Sequence, residues 1–281
     1  RSVAPAPIPV LRTADLVVVG GGTSGAVAGI VAGQEGLRTI VVDMNPGLGG
    51  TGTYGGIYTY WFGRQVGFVE QVLEWVGDVQ ERLHLPRPEG TLARWNVEAK
   101  AWALADRAEA VGVELLLNAY VVASIVEDGR DHDAVRGVVV ATRWGPVALP
   151  ADVVIDATGD GDAAAFAGAD AVYGSEREHA VMYAYLPQVA EPGRPRNVKT
   201  SMVDTTNIED YGRTLLAERR RGLPGDHDHG VYIGPRESRH IRGDFLMEFT
   251  DQLLLRSFPD VAFIAFSNHD MKGESTSDWI R

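Results

Sequence analysis

The chain has 281 residues, 45% hydrophobic and 23% charged, enough for a large core and for one big or two ordinary domains. Its formal charge of -12 argues against nucleic acid or an anionic membrane as the main partner, and no apolar run approaches the ~20 residues of a transmembrane helix. The absence of cysteine excludes disulfides, thiol catalysis and thiolate metal sites.

The chain opens at Arg1 with "SVAPAPIPV", whose prolines predict an extended arm over residues 1–13, and a start without Met reads as a processed terminus. Residues 16–19 form a continuous apolar, β-branched run, the signature of a strand buried on both faces of a parallel sheet. A helix of small and apolar residues is expected over residues 20–36. A second buried strand spans residues 39–42 and ends in Asp43. Helices are predicted over residues 67–83, with Val69, Val72, Leu73 and Val76 at helical spacing, and over residues 92–111. "VELLLNAYVVASIVED" and "AVRGVVVATRW" read as strands of a hairpin, and "ADVVIDATGDGDAAAFAGA" as a buried strand entering a Gly/Asp turn. Beyond residue 165 short strand-like pieces ("AVMYAYLP", "KTSMVDTT") alternate with polar loops and a helix candidate over residues 208–220. The expected class is α/β. A Rossmann-like, dinucleotide-binding domain with a parallel sheet and hairpin insertion covers 14–165, and a mixed α+β substrate domain covers 166–281.

Gly20-Gly21-Gly22-Thr23-Ser24-Gly25 sits between the first strand and the first helix. Gly20 permits the tight turn, Gly22 lets backbone amides approach a pyrophosphate, and Gly25 lets the helix lie close to the strand. The helix N-terminus adds free amide donors and partial positive charge. Asp43, at the end of the second strand, is placed to accept the hydroxyls of an adenosine ribose. The simpler reading of such glycines is a mere tight turn. Strand, helix, strand and acid together favour a dinucleotide.

Between Asn45 and Arg64 runs "NPGLGGTGTYGGIYTYWFGR", a stretch too rich in glycine for ordinary helix or strand. A long loop directly after the ribose acid suits FAD, extended from its pyrophosphate towards its ring, better than a nicotinamide cofactor. Gly49, Gly50, Gly52, Gly55 and Gly56 would let amides contact phosphate and flavin, with Tyr54, Tyr58, Tyr60 and Trp61 as walls. The alternative for each aromatic is plain packing.

"DLVVVGGGTSGAVAG", the acid-ended second strand, "GLGGTGTYGG", "DVVIDATGDGDAAAFAGA" and "GPRESRHIRGD" together resemble the FAD-dependent oxidoreductase family of the glutathione-reductase-like flavoprotein superfamily. The resemblance implies FAD held at Gly20, Gly22, Ser24 and Gly25, with Asp43 on the ribose and the backbone around Val121 on the adenine. It implies that Ala157, Thr158 and Gly159 close over the dinucleotide, with Asp160 and Asp162 following. Thr23, Met44 and Thr51 complete the expected cofactor set. Family members carry a later segment that contacts the ribityl chain and flavin. This chain shows no such segment, so a second chain or C-terminal fragment is expected to complete the site.

For chemistry, "GPRESRHIRGD" offers Arg236, Arg239, His240 and Arg242. Arginines suit a carboxylate, phosphate or reduced flavin, and His240 has the intrinsic range of a general base. The competing view is a structural turn neutralised by Glu237 and Asp244. Tyr58, Tyr60 and Arg64 are further candidates for substrate contact. His227 and His229 in "GDHDHG" read as a solvated loop, so no metal is expected. The expected function is hydride transfer between FAD and a small polar organic substrate, in the cytoplasm. A flavin-dependent monooxygenase or a non-catalytic nucleotide-holding subunit is the alternative.

Overall fold

The computed structural model describes residues 7–60, 65–87, 94–129, 133–173, 184–191, 194–199, 207–220, 227–228, 234–235, 239–261, 269–271 and 274–276. β1 (Ala14–Val19), α1 (Thr23–Gln34) and β2 (Thr39–Asp43) form the opening unit. α2 (Phe68–Arg82) and α3 (Val97–Ala110) lead to β3 (Glu114–Leu117). β4 (Tyr120–Glu127), β5 (Ala134–Thr142) and β6 (Gly145–Asp156) then run as an antiparallel meander. These strands make one six-stranded sheet in the order β3-β2-β1-β6-β5-β4. The first four are parallel, which fits the Rossmann-like reading.

The expected hairpin is present, and β6 explains how it joins the sheet. This strand is 12 residues long: its first half pairs with β5 and its second half, Ala151 to Asp156, with β1. The amino-terminal arm lies beside the first half, with Leu11 N–H donating to the Ala148 carbonyl and Ala148 N–H to that of Pro9.

Alternation along the strands divides the core. Leu16 and Val18 face α1 and α3, with Ile30, Val41, Trp95 and Leu104 in one cluster. Val17, Val19, Ile40, Val42, Val138 and Leu149 form the cluster on the opposite face. Each fully buried valine contributes roughly 2 kcal/mol of transfer free energy. α1 carries almost no amphipathic pattern because small residues let it sit against the sheet. A methyl group on Gly29 would lie 2.4 Å from Val41 Cγ2.

The predicted helix over 92–111 starts later, at Val97. The Asn96 side chain, itself buried, accepts the Ala99 N–H at 3.0 Å and fixes the start. The helix over 67–83 agrees within a residue, with Glu70 accepting from the Gly67 N–H at its start. Further along are α4 (Asp162–Phe166), β7 (Ala171–Tyr173), the hairpin of β8 (Ala184–Glu191) and β9 (Arg194–Lys199), and α5 (Ile208–Arg220). α5 is the helix expected there. β10 (His227–Asp228) and β11 (Gly234–Pro235) pair with β8, and β12 (Arg239–Ile241) pairs antiparallel with β7. α6 (Phe249–Leu253) and the pair β13 (His269–Met271) and β14 (Glu274–Thr276) follow. No described helix is long and apolar enough to cross a membrane.

Asn96 also donates through Nδ2 to the Pro86 carbonyl at 3.2 Å, so it anchors the α2–α3 connection as well as the cap. Asn96→Ala is expected to destabilise the protein by about 2 kcal/mol, read as a lower urea midpoint at unchanged slope.

Candidate functional site

The site is built where β1, β2 and β6 end beside the N-terminus of α1. Gly20 takes φ +92° and donates to the Val42 carbonyl at 2.7 Å. A side chain at Gly20 would strike the Ala157 carbonyl oxygen at 2.4 Å. Gly25 is tighter still, since its Cβ would stand 1.7 Å from the Gly20 carbonyl oxygen. These two glycines are steric necessities of the fold. Gly22 is different: a Cβ there would meet nothing within 4 Å. Gly22 caps α1 without any side-chain acceptor, and Thr23 and Ser24 are exposed. The first turn of α1 therefore has no side-chain cap for its amide donors.

Asp43 is only 6% exposed. Its Oδ2 accepts the Gly21 N–H at 2.6 Å, and its Oδ1 accepts the backbone N–H and Nδ2 of Asn45 at 2.7 and 2.9 Å. The expected ribose acid thus also clasps the glycine turn between β1 and α1. Met44 beside it is exposed. Asn118 N–H donates to Asn45 O and Ala119 N–H to Asp43 O, both at 3.1 Å, which brings the start of β4 and Val121 close to the end of β2.

The glycine-rich loop folds back onto the same turn. Gly49, at φ +103°, donates to Gly21 O at 2.8 Å, and a Cβ on Gly50 would stand 2.8 Å from Gly22 Cα. Gly50–Gly52 form a single 3-10 turn, and Thr51 Oγ1 lies 3.5 Å from Thr23 Oγ1. Trp95 Nε1 donates to Gly52 O at 2.8 Å from a position only 1% exposed. The Tyr60 ring stacks at a tilt on Trp95, centroids 4.7 Å apart. Burial holds the phenols of Tyr54 and Tyr60 above the usual tyrosine range, and the Asp43 charge adds to the effect at Tyr54.

Tyr58 and Tyr60 pack partly buried against the core. Trp95 N–H donates to Tyr58 O at 3.0 Å, and the Arg94 guanidinium sits 5.8 Å from the Tyr58 ring centre. Trp61 and Arg64 lie outside the described residues.

The turn after β6 completes the cradle. Ala157 N–H donates to Val19 O at 2.8 Å. Asp156 accepts from Thr158 and from the Ala164 N–H, and Asp162 N–H donates to Thr158 Oγ1 at 3.0 Å. Gly159 and Gly161 both take positive φ. Arg239 on β12 forms an ion pair with Asp162 and donates to Asp160 O at 3.3 Å. The Asp160 carboxyl is raised above its ordinary range, first by desolvation and then by Asp162, with Arg239 opposing. The cluster's expected neutralisers were Glu237, outside the described residues, and Asp244. The partners found are Asp162 for Arg239 and Asp170, at 3.5 Å, for Arg242.

Strand alternation separates the two expected catalytic neighbours. Arg239 and Ile241 share the face over Gly161 and Asp162, with Ile241 Cδ1 3.0 Å from where a Gly161 Cβ would stand. His240 therefore projects from the other face and is exposed. The Tyr58 ring meets the Arg94 guanidinium and its carbonyl accepts the Trp95 N–H, whereas His240 pairs with Val172 on β7. His229 lies outside the described residues, and among those described no three His, Asp or Glu residues group as a metal site.

Lys100 was not among the expected residues. It is 3% exposed on α3, with Nζ 3.7 Å from the Trp95 ring centre and 5.3 Å from that of Tyr60. A Cβ on Gly52 would meet Lys100 Nζ at 2.9 Å and Thr23 Oγ1 at 3.8 Å. Burial lowers its pKa to about 8. The signal was available in the stripe Val97, Lys100, Leu104, where a lysine interrupts the apolar face of a helix.

Residues 15–221 match the model of the FAD dependent oxidoreductase family. A curated relative, the mitochondrial dihydrolipoyl dehydrogenase of Caenorhabditis elegans, is 58% identical over 40 residues, 14% of this chain and 8% of that one. Among solved structures, CabE, an aromatic hydroxylase from angucycline biosynthesis, aligns with TM-score 0.52 at 17% identity, over 81% of this chain and 53% of its own. The myxobacterial chondrochloren halogenase CndH, a variant of FAD-dependent halogenases, aligns with TM-score 0.51 at 15% identity, over 82% and 64%. At such identities the likeness is one of fold, and the chain spans between about half and two thirds of these structures' lengths.

Because a Cβ on Gly25 would stand 1.7 Å from the Gly20 carbonyl oxygen, Gly25→Ala is expected to cost about 3 kcal/mol of stability. Equilibrium unfolding measures it, and a variant as stable as wild type would show that α1 can retreat without loss.

Proposed function

Given that the chain belongs to the FAD-dependent oxidoreductase family, we propose that it oxidises or reduces a small, polar organic molecule by hydride transfer at the flavin. FAD is its cofactor and supplies the hydride chemistry when bound, and the residues of this chain bind, orient and shield it. The observation that carries the reading is the open N-terminus of α1 at Gly22, framed by two other glycine-bearing turns.

In this reading Gly20, Gly22, Thr23, Ser24 and Gly25 form the diphosphate cradle. Asp43 keeps the turn closed and presents its remaining lone pairs, with Met44, to the adenosine ribose. The backbone at Val121 lies at the adenine. Gly49, Gly50, Thr51 and Gly52 line the path from phosphate to ring, and Ala157, Thr158, Gly159 and Asp162 form the opposite wall. Arg239 positions that wall through Asp162. Tyr58, Arg64 and His240 remain the proposed substrate and proton-handling residues, with His240 reached from the outer face of β12.

A further segment or partner chain is proposed to complete the site, and β6 supports this. Leu16 and Val18 are buried, yet their in-register neighbours Val153 and Ile155 on the same face are 54% and 36% exposed. Parallel strands are normally covered on both faces. Native mass measurement is expected to show an additional chain or segment; a stable, flavin-loaded species of this chain alone would contradict it.

Gly22→Val tests the cradle, since Gly22 has φ -69° and free space, so valine is tolerated by the fold. Unchanged thermal unfolding with at least a tenfold loss of FAD affinity is expected, and wild-type affinity would refute the placement. Anaerobic addition of small polyols, hydroxy acids and amino acids should bleach the flavin band with at least one class. A flavin inert to all of them counts against hydride transfer from such substrates.

A further inference from the structure

A lysine buried without a carboxylate is costly, because desolvation penalises its charged form. Lys100 is such a residue. Among the described residues no carboxylate forms an ion pair with it, and its contacts are the faces of Trp95 and Tyr60. The charged or titratable groups around it do not neutralise it. Tyr60 stays protonated, its phenol held above the usual range by burial. Glu98 lies two residues earlier on α3, a spacing that turns it away, and its Oε2 is buried without a hydrogen-bond partner. Arg94 stacks over Tyr58, and Asp43 is engaged with Gly21 and Asn45. On its remaining side Nζ points towards Gly52, where Thr23 of the α1 N-terminus also converges.

We propose that Lys100 is the cationic contact for the diphosphate of the bound cofactor, so that cofactor binding draws a proton onto this amine. The inference rests on FAD lying at the α1 N-terminus, as argued above. A diphosphate beside Thr23 replaces the missing counter-charge and stabilises the ammonium form. The cofactor-free chain bears the cost of the amine and the loaded chain recovers it. A lysine of purely structural value would behave in the opposite way, since its removal would destabilise the empty protein.

The sign follows from the direction of the shift. Burial lowers the amine's pKa to about 8, so below that value the folded, cofactor-free protein carries a disfavoured charge. That penalty is fully present at pH 7 and is relieved as pH rises from about 8 towards the ordinary lysine value. Between those limits the empty protein holds the amine neutral, and diphosphate binding recharges it.

The experiment is calorimetric titration of FAD-stripped protein with FAD at pH 7 and pH 9, in buffers of differing ionisation enthalpy. Wild type is expected to take up most of a proton per FAD at pH 9 and little at pH 7. Lys100→Met should bind FAD at least tenfold more weakly at pH 7 and take up no proton at pH 9. Its cofactor-free form should melt about 2–4 °C higher than wild type. Lys100→Arg, charged at both pH values, should keep tighter binding than Lys100→Met without the proton uptake. Should Lys100→Met bind FAD as tightly as wild type with the same proton uptake, the proposal is overturned alone. A wild-type protein that takes no FAD even with its completing segment or partner chain present overturns the cofactor reading and this proposal together.

Discussion

The arrangement of the site depends on one buried carboxylate. Asp43 closes the end of β2 onto the first turn of the chain by accepting three N–H groups, one from Gly21 and two from Asn45. Charge-assisted bonds of this kind are stronger than neutral ones, and their geometry fixes where Gly21 and Gly22 stand. Gly49 then bonds to Gly21, Ala119 to Asp43 and Ala157 to Val19, so four distant segments converge on one corner of the sheet. Because the carboxylate consumes the Gly21 amide, the donors left free are those at the start of α1.

The proposed placement answers a constraint: the protein as a whole is acidic, at -12, while the cofactor diphosphate is an anion. The attraction must be local. A helix N-terminus supplies about half a positive charge, and it falls off within a turn. In the proposed placement the free space at Gly22 permits the close approach that so short-ranged a field requires. At Gly20 and Gly25 a side chain would strike the backbone, whereas at Gly22 it would meet nothing, so only Gly22 can be substituted without disturbing the turn. A single buried lysine at the same corner fits the same requirement.

Much of this was legible in the chain itself. The continuous apolar runs at residues 16–19 and 39–42 mark strands that must be covered on both sides, and the glycines from Gly20 and the acid at Asp43 mark the corner where β1, β2 and α1 meet. The late start of α3 was hidden because one capping side chain, Asn96, outweighs helix propensity upstream. The aromatics of the glycine-rich loop were legible as a group but not in their individual duties. Tyr58 and Tyr60 turn towards the core, and Trp95, distant in sequence, proves to be the residue that holds Gly52. The Arg239–Asp162 pair joins residues far apart in the chain, and nothing local in "GPRESRHIRGD" announces it. Lys100 was visible as an interruption of an apolar stripe, but its meaning required the position of Gly52.

The corner at Gly22 can be examined most directly by determining the structure of the FAD-loaded protein. The account predicts diphosphate oxygens about 3 Å from the first amides of α1, with the ring extending along the Gly49–Gly56 loop. A diphosphate bound elsewhere, or a nicotinamide dinucleotide occupying that corner in its place, would contradict it.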